Sequence, residues 1–492
     1  MPSQSTGDMS PAEFRDAAAR LTEWAAHYLD TVEQRPVHHA VVPGLVRSAL
    51  PAQLPEEGAS FDVILGDVDR VLMQGVTHWN HPGFMAYFPS SGSGPGVLGE
   101  FMTAVLNQQA MLWSTSPAAS ELEDVVLDWL RQLLSLPSQF EGACHEGGSA
   151  SNLHAVAAAV AAAVPEFRAR GLAGRPGLAR PCVYASAHAH ASIAKAAVFL
   201  GLGYEALRTV PVDDRFRLRP ADLTAQIAAD RRAGWLPVAV VATVGTTSTG
   251  SVDPVAAIAD VCATERLWLH VDASYGGPAA LVPRCAPMFE GIARADSVVI
   301  NPHKWLFTPL DLSVFYCRRF EVLRELLHVA PEYLAGGDPP GVRNVKDTGI
   351  ALGRRFRALK LWMVLRYFGT AGLRARIAAH LDLATTFAAW VDADRRFERM
   401  APVSLSVVCF RVASHDSPPD ADALDRLNAE LLRRVNARGE VFLSSTRLRG
   451  RFTLRLAIGH VRTSSGHVAR AWDSIRWTVD ELFRGHTQGR QA

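Results

Sequence analysis

Residues 297–305 have the sequence Ser-Val-Val-Ile-Asn-Pro-His-Lys-Trp, a short apolar run that stops at a proline. Ser297 to Ile300 has the β-branched content and the length of a buried strand, and Pro302 cannot donate to a β-ladder, so the strand is predicted to end before it. Lys304 then lies just beyond a strand end, where ligands bind in open α/β sheets. Partial desolvation there lowers the pKa of an amine and makes it a nucleophile for carbonyl carbon. Lys304 is therefore the candidate for covalent chemistry. The alternative for a lysine considered alone is a solvated surface side chain.

The length and charge of the chain limit the classes of function open to it. A chain of 492 residues predicts two or three domains at about 150 residues each. Its 50 Lys and Arg residues nearly balance its 49 Asp and Glu residues, so no net field attracts nucleic acid or an anionic membrane. We expect neither kind of partner.

The N-terminus and the apolar runs predict a cytoplasmic protein. Residues 1–8 lack the basic and apolar regions of a signal peptide. The longest apolar run, Ala155 to Val164, has half of the length needed to span a bilayer. Six cysteines show no Cys-x-x-Cys spacing, which favours buried thiols over a zinc site or a disulfide framework.

A glycine- and serine-rich segment has the features of an anion site. Residues 144–152, Cys-His-Glu-Gly-Gly-Ser-Ala-Ser-Asn, lead directly into an alanine-rich helix predicted to run to about Val164. Glycines allow close approach of the backbone, hydroxyls donate hydrogen bonds, and a helix N-terminus supplies free N–H groups and a positive dipole end. No Gly-Lys-Ser/Thr follows, so this is not a Walker A loop. The segment predicts a phosphate site, with a serine-rich helix cap that binds no ligand as the alternative.

Further strand ends also carry polar residues. They are Asp272 after the predicted strand Leu267–Val271, Gly245-Thr-Thr247 after the strand Val238–Thr243, and His190 after a short strand at 182–184. Strands and helices alternate here, which predicts a mostly parallel sheet with these loops on one side. A buried Asp272 carboxylate needs a partner, because an unpaired buried charge is costly. His188 and His190 have no third metal ligand nearby, so the other use of such a ring is to lie flat against a flat cofactor.

Two loop-rich segments suit the surroundings of a site. Residues 77–89 are crowded with aromatic side chains and precede a serine- and glycine-rich loop at 90–96. They favour a pocket wall, with a surface loop packed by its own side chains as the alternative. Glycines and prolines at 333–341 predict a mobile loop that serves as a lid.

The remaining segments predict a three-part chain. Ser10-Pro-Ala-Glu13 is a capping box that starts an amphipathic helix, which docks on the body or on a partner subunit. Beyond about residue 370 the pattern is helix, strand, helix, strand and helix, as in a small α+β domain. We therefore predict an α/β protein with a mostly parallel central sheet. Its parts are an N-terminal helical segment and dimer arm (1–95), a large α/β domain (96–370) and a small C-terminal α+β domain (371–492).

A strand-end lysine, a strand-end aspartate, a histidine and a phosphate cradle together indicate pyridoxal 5'-phosphate. Its aldehyde condenses with a lysine, its protonated pyridine nitrogen lies beside a carboxylate, and its phosphate binds at a helix N-terminus. The histidine can stack on the ring. No metal or nicotinamide site accounts for as many features, and Gly-x-Gly-x-x-Gly is absent where a first strand would demand it.

Six segments occur in the order of a known family across nearly the whole chain: Trp113–Glu123, Gly148–Ser151, Ala189–His190, His270–Tyr275, Asn301–Trp305 and Leu352–Arg357. They resemble the group II pyridoxal-phosphate-dependent amino acid decarboxylases, particularly the aromatic-L-amino-acid decarboxylase branch. The resemblance implies the aspartate-aminotransferase-like fold, known as PLP fold type I. It also implies a homodimer with intertwined N-terminal segments.

The same resemblance assigns roles to residues that match the family's motifs. Lys304 would form the internal aldimine, Asp272 would pair with the pyridine nitrogen, and His190 would stack on the ring. The other cofactor contacts would be Ala150, Ser151, Asn301 and His303 around the phosphate, and Thr247 close to the cofactor.

The resemblance also places a substrate pocket, partly built by the neighbouring subunit. Its residues would be Trp79, Tyr87, Phe88, Pro89, Ser90, Met111 and Gly353. The animal enzymes carry threonine at Ser90 and phenylalanine at Met111, so the particular substrate stays open. Gly353 favours a bulky indole, because plant members with glycine there tend toward tryptophan.

The implied reaction is decarboxylation of an L-amino acid to its amine and carbon dioxide, through the Lys304 aldimine and a quinonoid intermediate. The aromatic wall at 79–89, without a cluster of Lys or Arg, favours tryptophan, tyrosine, phenylalanine or dihydroxyphenylalanine as substrate. Tyr333 matches the family's loop tyrosine and is the candidate acid that protonates Cα.

Three alternatives stay open at this point. They are a decarboxylase of an acidic or aliphatic amino acid such as glutamate or diaminobutyrate, an oxidative relative that makes aldehydes, and a catalytically silent dimeric scaffold. The joint presence of Lys304, Asp272 and His190 argues against the silent scaffold.

Overall fold

The computed structural model of the chain describes residues 8–329, 341–413 and 420–488. Its helices are α1 (Pro11–Thr31), α2 (Leu45–Ala49), α3 (Phe61–Asp67), α4 (Gly94–Leu106), α5 (Pro117–Leu133), α6 (Gly148–Ala163), α7 (Phe167–Arg170), α8 (Ser192–Phe199), α9 (Pro220–Arg232), α10 (Val255–Glu265), α11 (Pro302–Trp305), α12 (Phe320–Leu327), α13 (Arg357–Ala393), α14 (Ala421–Ala437) and α15 (Ser465–Gln488). Its strands are β1 (Glu141–His145), β2 (Arg180–Ser186), β3 (Leu207–Val210), β4 (Trp235–Thr243), β5 (Trp268–Asp272), β6 (Ser297–Ile300), β7 (Ser313–Cys317), β8 (Phe397–Arg399), β9 (Val407–Val412), β10 (Ser444–Leu448) and β11 (Arg451–Ala457).

Seven strands form a central sheet in the order β1-β7-β6-β5-β4-β2-β3. Strands β6, β5, β4, β2 and β3 are parallel to one another, whereas β7 is antiparallel to both of its neighbours. The predicted, mostly parallel sheet is confirmed. Strands β1, β2, β4, β5 and β6 therefore end at the same edge, which gathers the loops that follow them.

The central strands form because their sequences are continuously apolar. In β4 every residue from Pro237 to Thr243 is buried, and β5 is buried throughout. A strand covered on both faces needs such a sequence. Helix α6 covers one face, where its buried alanines, such as Ala155 and Ala158, allow the helix to lie close to the sheet.

A second sheet of four antiparallel strands has the order β10-β11-β9-β8. Its own core contains Phe387, Phe410 and Trp472. The N-terminal segment joins this core through Met85, whose amide donates to the carbonyl of Phe442 at 2.9 Å. Residues 79–89 are thereby held against the small sheet.

Helix α13 connects the two cores. Gly369 interrupts it with a φ of 61°, a left-handed conformation that glycine adopts without strain. This kink lies next to the predicted boundary at residue 370. The domain limits themselves stay predictions.

Local predictions were confirmed to different degrees. Strand β6 has the predicted bounds, and Ser10 caps α1 by accepting the Glu13 amide at 3.3 Å. Helix α5 begins at Pro117, where proline is favoured in the first helical turn. All six cysteines are buried and unpaired, as predicted. Within the described ranges, no helix combines the length and the apolar character needed to cross a bilayer.

Candidate active site

Lys304 lies in the short helix α11, directly after β6. It lines a cleft of about 440 Å³ at the edge of the sheet where the parallel strands end. Its Nζ lies 5.3 Å from the centre of the Phe88 ring. The segments that follow β1, β2, β4, β5 and β6 all contribute to the lining of this cleft. The sheet edge thus collects the strand-end residues that the sequence singled out.

The pKa of the Lys304 amine lies below its ordinary value. Burial lowers this pKa most, the Asp272 carboxylate opposes the shift, and the Arg455 guanidinium adds to it. A lowered pKa leaves more of the amine uncharged at neutral pH, and the uncharged amine is the form that attacks a carbonyl. The site therefore presents an amine suited to forming a Schiff base.

Asp272 ends β5 and is almost fully buried. Its Oδ1 accepts the backbone N–H of Ser274 at 3.0 Å, and its Oδ2 accepts the side-chain amide of Asn152 at 3.0 Å. Burial raises the pKa of Asp272, but the Lys304 ammonium and the donors at Ser274 and Asn152 outweigh burial and hold it below its ordinary value. The carboxylate is therefore ionised at neutral pH and can accept a hydrogen bond from a protonated ring nitrogen.

His190 follows β2 and lines the same cleft. The backbone N–H of Ser192 donates to its Nδ1 at 3.2 Å, so the ring proton resides on Nε2. Burial lowers the pKa of His190, Asp272 opposes the shift, and Lys304 and Lys195 reinforce it. A neutral, flat imidazole at this position suits contact with the face of an aromatic ring.

The first turn of α6 forms a cradle beside the cleft. The amides of Ala150 and Ser151 both donate to the carbonyl of Gly147 at 3.1 Å. Since the first amides of a helix have no acceptor within the helix, those of Gly148 and Ser149 remain for an anion. A Cβ on Gly148 would lie 2.6 Å from Nδ2 of Asn301, so a larger residue would have to displace the Asn301 side chain.

The side chain of Ser151 points away from the cleft. Its Oγ lies 3.1 Å from Nδ1 of His145 and 2.8 Å from Oγ of Ser313. Gly148 and Ser149 line the cleft, and Ala150 and Ser151 do not. Of the residues predicted to surround the phosphate, the structure thus places the 150–151 pair behind the first turn of α6.

Asn301, His303 and Thr247 all line the cleft. The Leu312 amide donates to Nδ1 of His303 at 3.0 Å, and burial lowers the pKa of His303 to about 3, so Nε2 carries the only ring proton at neutral pH. Oδ1 of Asn301 and Oγ1 of Thr243 are buried without a hydrogen-bond partner among the described residues. Both belong to residues of the lining, so a polar ligand would satisfy them.

One predicted pocket residue, Phe88, forms a wall of this cleft. Its ring stacks on Tyr275 with a centroid separation of 3.7 Å. Trp79 and Tyr87 are 41% and 56% exposed and stack on each other instead. Within the described part of the chain, Trp79, Tyr87, Pro89 and Ser90 do not line the cleft.

Met111 and Gly353 lie together around Gln109. The Met111 amide donates to the Gln109 carbonyl at 3.0 Å, and a Cβ on Gly353 would lie 3.2 Å from Nε2 of Gln109. The adjacent Arg354 forms a buried ion pair with Glu123 at 2.8 Å, which fixes this loop. Neither Met111 nor Gly353 lines the Lys304 cleft among the described residues.

Asn152 and Arg455 also belong to the site and were not predicted from the sequence. Asn152 lies four residues after Gly148 on α6, a spacing that places both on one helix face and could have indicated its role. Arg455 comes from the small sheet, where no local signal relates it to Lys304. It is almost fully buried, and its guanidinium carbon lies 4.6 Å from the centre of the Phe88 ring.

The donor set fits pyridoxal 5'-phosphate. The start of α6 at Gly148 would hold the phosphate. The ionised carboxylate of Asp272 would bind the pyridine nitrogen, and the Lys304 amine, with its lowered pKa, would bind the aldehyde. The two orphaned polar atoms of the lining also call for a polar ligand. Tyr333, the predicted acid, lies outside the described residues.

Comparison with known proteins decides the family. Residues 43–413 match the family described as the pyridoxal-dependent decarboxylase conserved domain, which is more than half of the chain. The chain belongs to this family. The protein is therefore a pyridoxal-phosphate-dependent decarboxylase, and the resemblance seen in its motifs is confirmed.

Relatives in this decarboxylase family match along nearly the whole chain. Aromatic-L-amino-acid decarboxylase of Sus scrofa is 38% identical over 487 residues, which cover 96% of this chain and 98% of that protein. 4-hydroxyphenylacetaldehyde synthase of Rhodiola rosea is 36% identical, with 98% of both chains covered. The crystal structure of Oryza sativa TDC with PLP and tryptamine has a TM-score of 0.93 and 36% identity, and covers 97% of this chain and 100% of its own. The fold predicted from the resemblance, PLP fold type I, is confirmed.

Proposed function

We propose that this decarboxylase acts on an aromatic L-amino acid and releases the amine and carbon dioxide. The observation that carries the proposal is the lining of the Lys304 cleft. Phe88 and Tyr275 supply a stacked aromatic wall, and Lys304 is the only Lys or Arg in the lining formed by the described residues. Glu146 and Asp311 also line the cleft, and these carboxylates would repel the side chain of an acidic substrate.

The names of the relatives support the same substrate class. The Sus scrofa relative is an aromatic-L-amino-acid decarboxylase, and an Oryza sativa relative at 36% identity is tryptophan decarboxylase 2. A crystal structure of Catharanthus roseus tryptophan decarboxylase in complex with L-tryptophan has a TM-score of 0.90 to this chain. We extend the aromatic substrate class to this protein on these grounds.

The geometry of the site supports a role for each of its residues. When bound, pyridoxal phosphate supplies an aldehyde and an electron-withdrawing ring. Lys304 would hold the aldehyde carbon, and Asp272 would keep a proton on the pyridine nitrogen. His190 would lie against the ring face. Gly148, Ser149 and His303 would bind the phosphate through amide and imidazole N–H groups.

The protein would work as a homodimer. Helix α1 buries none of its residues, and α4 carries an exposed apolar face. The members of this face are Val97, Leu98, Phe101, Met102, Val105 and Leu106. An apolar face of this extent is typical of a subunit interface. Trp79 and Tyr87, exposed on their own chain, would then complete the wall of the partner's cleft.

The test is a measurement of carbon dioxide release from single amino acids. We expect kcat/KM for tryptophan, tyrosine, phenylalanine or dihydroxyphenylalanine to exceed that for glutamate and diaminobutyrate. A preference for glutamate would refute the aromatic assignment while leaving the decarboxylase chemistry in place. Carbon dioxide release from none of these substrates would refute the function itself.

The aldehyde synthases among the relatives make one alternative specific, since the Rhodiola rosea relative is 36% identical. The proposed acid, Tyr333, decides between the products. A phenol with a pKa near 10 is protonated at neutral pH and can donate to Cα. We expect Tyr333→Phe to shift products from amine toward aldehyde, ammonia and hydrogen peroxide under air. Parental amine formation without peroxide in this variant would remove the role of Tyr333.

A further inference from the structure

A chain of buried hydrogen bonds runs beneath the cleft and ends at two of its residues. Nε1 of Trp268 donates to Oγ of Ser297 at 2.9 Å, and this hydroxyl lies 2.9 Å from Nδ1 of His270. Nε2 of His270 lies 2.9 Å from Oδ1 of Asn152. Three buried side chains, those of Trp268, Ser297 and His270, therefore form a hydrogen-bonded chain that ends at the carboxamide of Asn152.

The amide nitrogen of Asn152 then divides between two acceptors. It lies 3.0 Å from Oδ2 of Asp272 and 2.8 Å from Oγ of Ser192. The same hydroxyl of Ser192 lies 2.8 Å from Nδ1 of His190. One carboxamide thus contacts the carboxylate at one end of the cleft directly and the imidazole of His190 through a single hydroxyl.

The chemistry of the terminal groups fixes every proton in this chain. An indole N–H can only donate, and an ionised carboxylate can only accept. Asp272 therefore faces the NH2 of Asn152, and Oδ1 of Asn152 accepts from Nε2–H of His270. Since this ring carries a single proton, its Nδ1 is an acceptor, and Ser297 donates to it. Rotating the carboxamide by 180° would place its oxygen against Asp272 and its NH2 against the N–H of His270, so the reverse orientation is excluded.

From this polarity we infer that Asn152 is a positioning residue, which orients Asp272 and His190 together for the cofactor. The inference rests on the roles proposed for Asp272 and His190. Asn152 holds the carboxylate through one N–H and, through the Ser192 hydroxyl, keeps Nδ1 of His190 as an acceptor. Its own oxygen is held by His270, so its orientation does not depend on a bound ligand.

The histidines have the protonation that this chain needs. Burial lowers the pKa of His270 to about 4, so its ring carries a single proton at neutral pH. The pKa of His190 is also lowered, chiefly by burial. Both rings are therefore predominantly uncharged at neutral pH, and each can accept at Nδ1.

The variant Asn152→Asp tests the positioning role through its pH dependence. Asn152→Asp places two carboxyl groups about 3 Å apart, and such a pair cannot ionise fully at neutral pH, so one pKa is raised. While the shared proton is present, the protonated carboxyl introduced at position 152 can still donate to Asp272. Loss of that proton at higher pH leaves two repelling carboxylates. The variant should therefore work at low pH and fail as the pH rises.

The experiment measures the dissociation constant of pyridoxal phosphate from cofactor-free protein, together with kcat and KM, from about pH 6 to about pH 9. In Asn152→Asp, we expect cofactor affinity and kcat to fall by roughly 10- to 100-fold across this range relative to the parental enzyme, since a hydrogen bond to a charged group is lost. KM for the amino acid should change little. Asn152→Leu should show the loss at every pH.

Asn428 provides a matched control. It is buried in the small domain and, among the described residues, bonds only to the backbone of Val412 and Leu424. Asn428→Asp should leave the pH dependence of cofactor affinity unchanged, even if it lowers the melting temperature. The titratable groups that face the 152–272 pair are Lys304, His270 and His190, and they are common to all variants.

The positioning role of Asn152 and the proposed decarboxylase function would fail in different ways. A parental pH profile in Asn152→Asp, or parental cofactor affinity in Asn152→Leu, would overturn the positioning role. Since the parental enzyme is measured beside them, a failure of the proposed function appears as an absence of decarboxylation in every protein tested. If Asn152→Leu does not fold, the pH profile of the isosteric Asn152→Asp variant still decides the question.

Discussion

The Lys304 amine lies between two charges of opposite effect. Asp272 raises its pKa and Arg455 lowers it, while burial lowers it most. The position of the lysine after a strand was predicted from the sequence, because Pro302 cannot donate to a β-ladder and so ends the apolar strand before it. The contribution of Arg455 did not, since that residue lies 151 positions away on the other sheet. Local patterns predict a strand end, and contacts between distant elements depend on the whole fold.

The directions in which the hydroxyl groups of Ser149 and Ser151 point could not be predicted from the sequence either. Ser149 and Ser151 lie on the same turn of α6, and only Ser149 lines the cleft. Ser151 instead bonds to His145 and Ser313, which strands β1 and β7 bring beside it. A Gly-Ser-Ala-Ser motif therefore predicts a cradle without predicting which serine faces it.

We expect Asp272→Asn to lower kcat by roughly 10²-fold or more, because a neutral amide cannot stabilise a protonated pyridine nitrogen as a carboxylate does. The variant should also lower the pKa of Lys304 further, since the charge that opposes its depression is removed. Steady-state kinetics measures the first effect, and the pH dependence of the rate at which the cofactor-free protein condenses with pyridoxal phosphate measures the second.

Asp230→Asn is the control for loss of a buried carboxylate. Asp230 bonds to Tyr184 and pairs with Arg208 at 3.0 Å, away from the cleft lining. It should retain parental turnover. Near-parental kcat in Asp272→Asn would remove the electrostatic role assigned to that residue.

At the scale of elements, five strand ends and one helix start build the site. Alternation of strands and helices predicted that these ends share an edge, and the structure bears this out. Strand β7 was not predicted. It pairs antiparallel with β6, because the connection at 301–312 has no crossover helix long enough for a parallel return. That connection also contains Lys304. The same short segment therefore makes β7 antiparallel and forms the active-site loop.

The start of α6 gives the prediction at this scale. Gly148→Ala would place a Cβ 2.6 Å from Nδ2 of Asn301 and 3.2 Å from Oγ of Ser274. We expect the cradle to open and the dissociation constant of pyridoxal phosphate to rise roughly tenfold or more, about 1.4 kcal/mol. Fluorescence titration of the cofactor-free protein measures this change.

Gly66→Ala is the matched control, because Gly66 lies within α3 and a Cβ there meets nothing within 4 Å. It should bind the cofactor like the parent and be as stable or slightly more stable, since alanine favours the helix. Unchanged cofactor affinity in Gly148→Ala would show that the close approach to Asn301 does not shape the phosphate site.

At the scale of the whole molecule, the chain leaves a large apolar surface uncovered. Helix α4 has an exposed apolar face, and α1, the first helix of the N-terminal segment, has no buried residue. The sequence indicated that α1 must dock, but periodicity does not distinguish docking on the same chain from docking on a partner. In the structure no residue of α1 is fully buried, and its contacts with its own chain include hydrogen bonds from Trp24 to Asp69 and between Tyr28 and His78.

We expect Phe101→Asp to convert a dimer to monomers and to lower turnover, because a carboxylate at the centre of an apolar interface must be desolvated. Each fully buried Leu or Phe contributes roughly 1.5–3 kcal/mol to such an interface. Size-exclusion chromatography with light scattering measures the mass. Phe199→Asp, at a phenylalanine 79% exposed, is the control and should remain dimeric and active. A Phe101→Asp variant that is dimeric, or monomeric with full turnover, would contradict the proposed completion of the site by the partner.

We propose that the fold holds one lysine, Lys304, against pyridoxal phosphate at the edge of the sheet. The most direct measurement is reduction of the holoenzyme with borohydride, followed by proteolysis and mass spectrometry of the cofactor-bearing peptide. We predict a single modified residue, Lys304, and no incorporation into Lys304→Ala. Modification of Lys195 or of any other lysine in the parental enzyme, or undiminished trapping in Lys304→Ala, would contradict the assignment of Lys304 as the residue that binds the cofactor aldehyde.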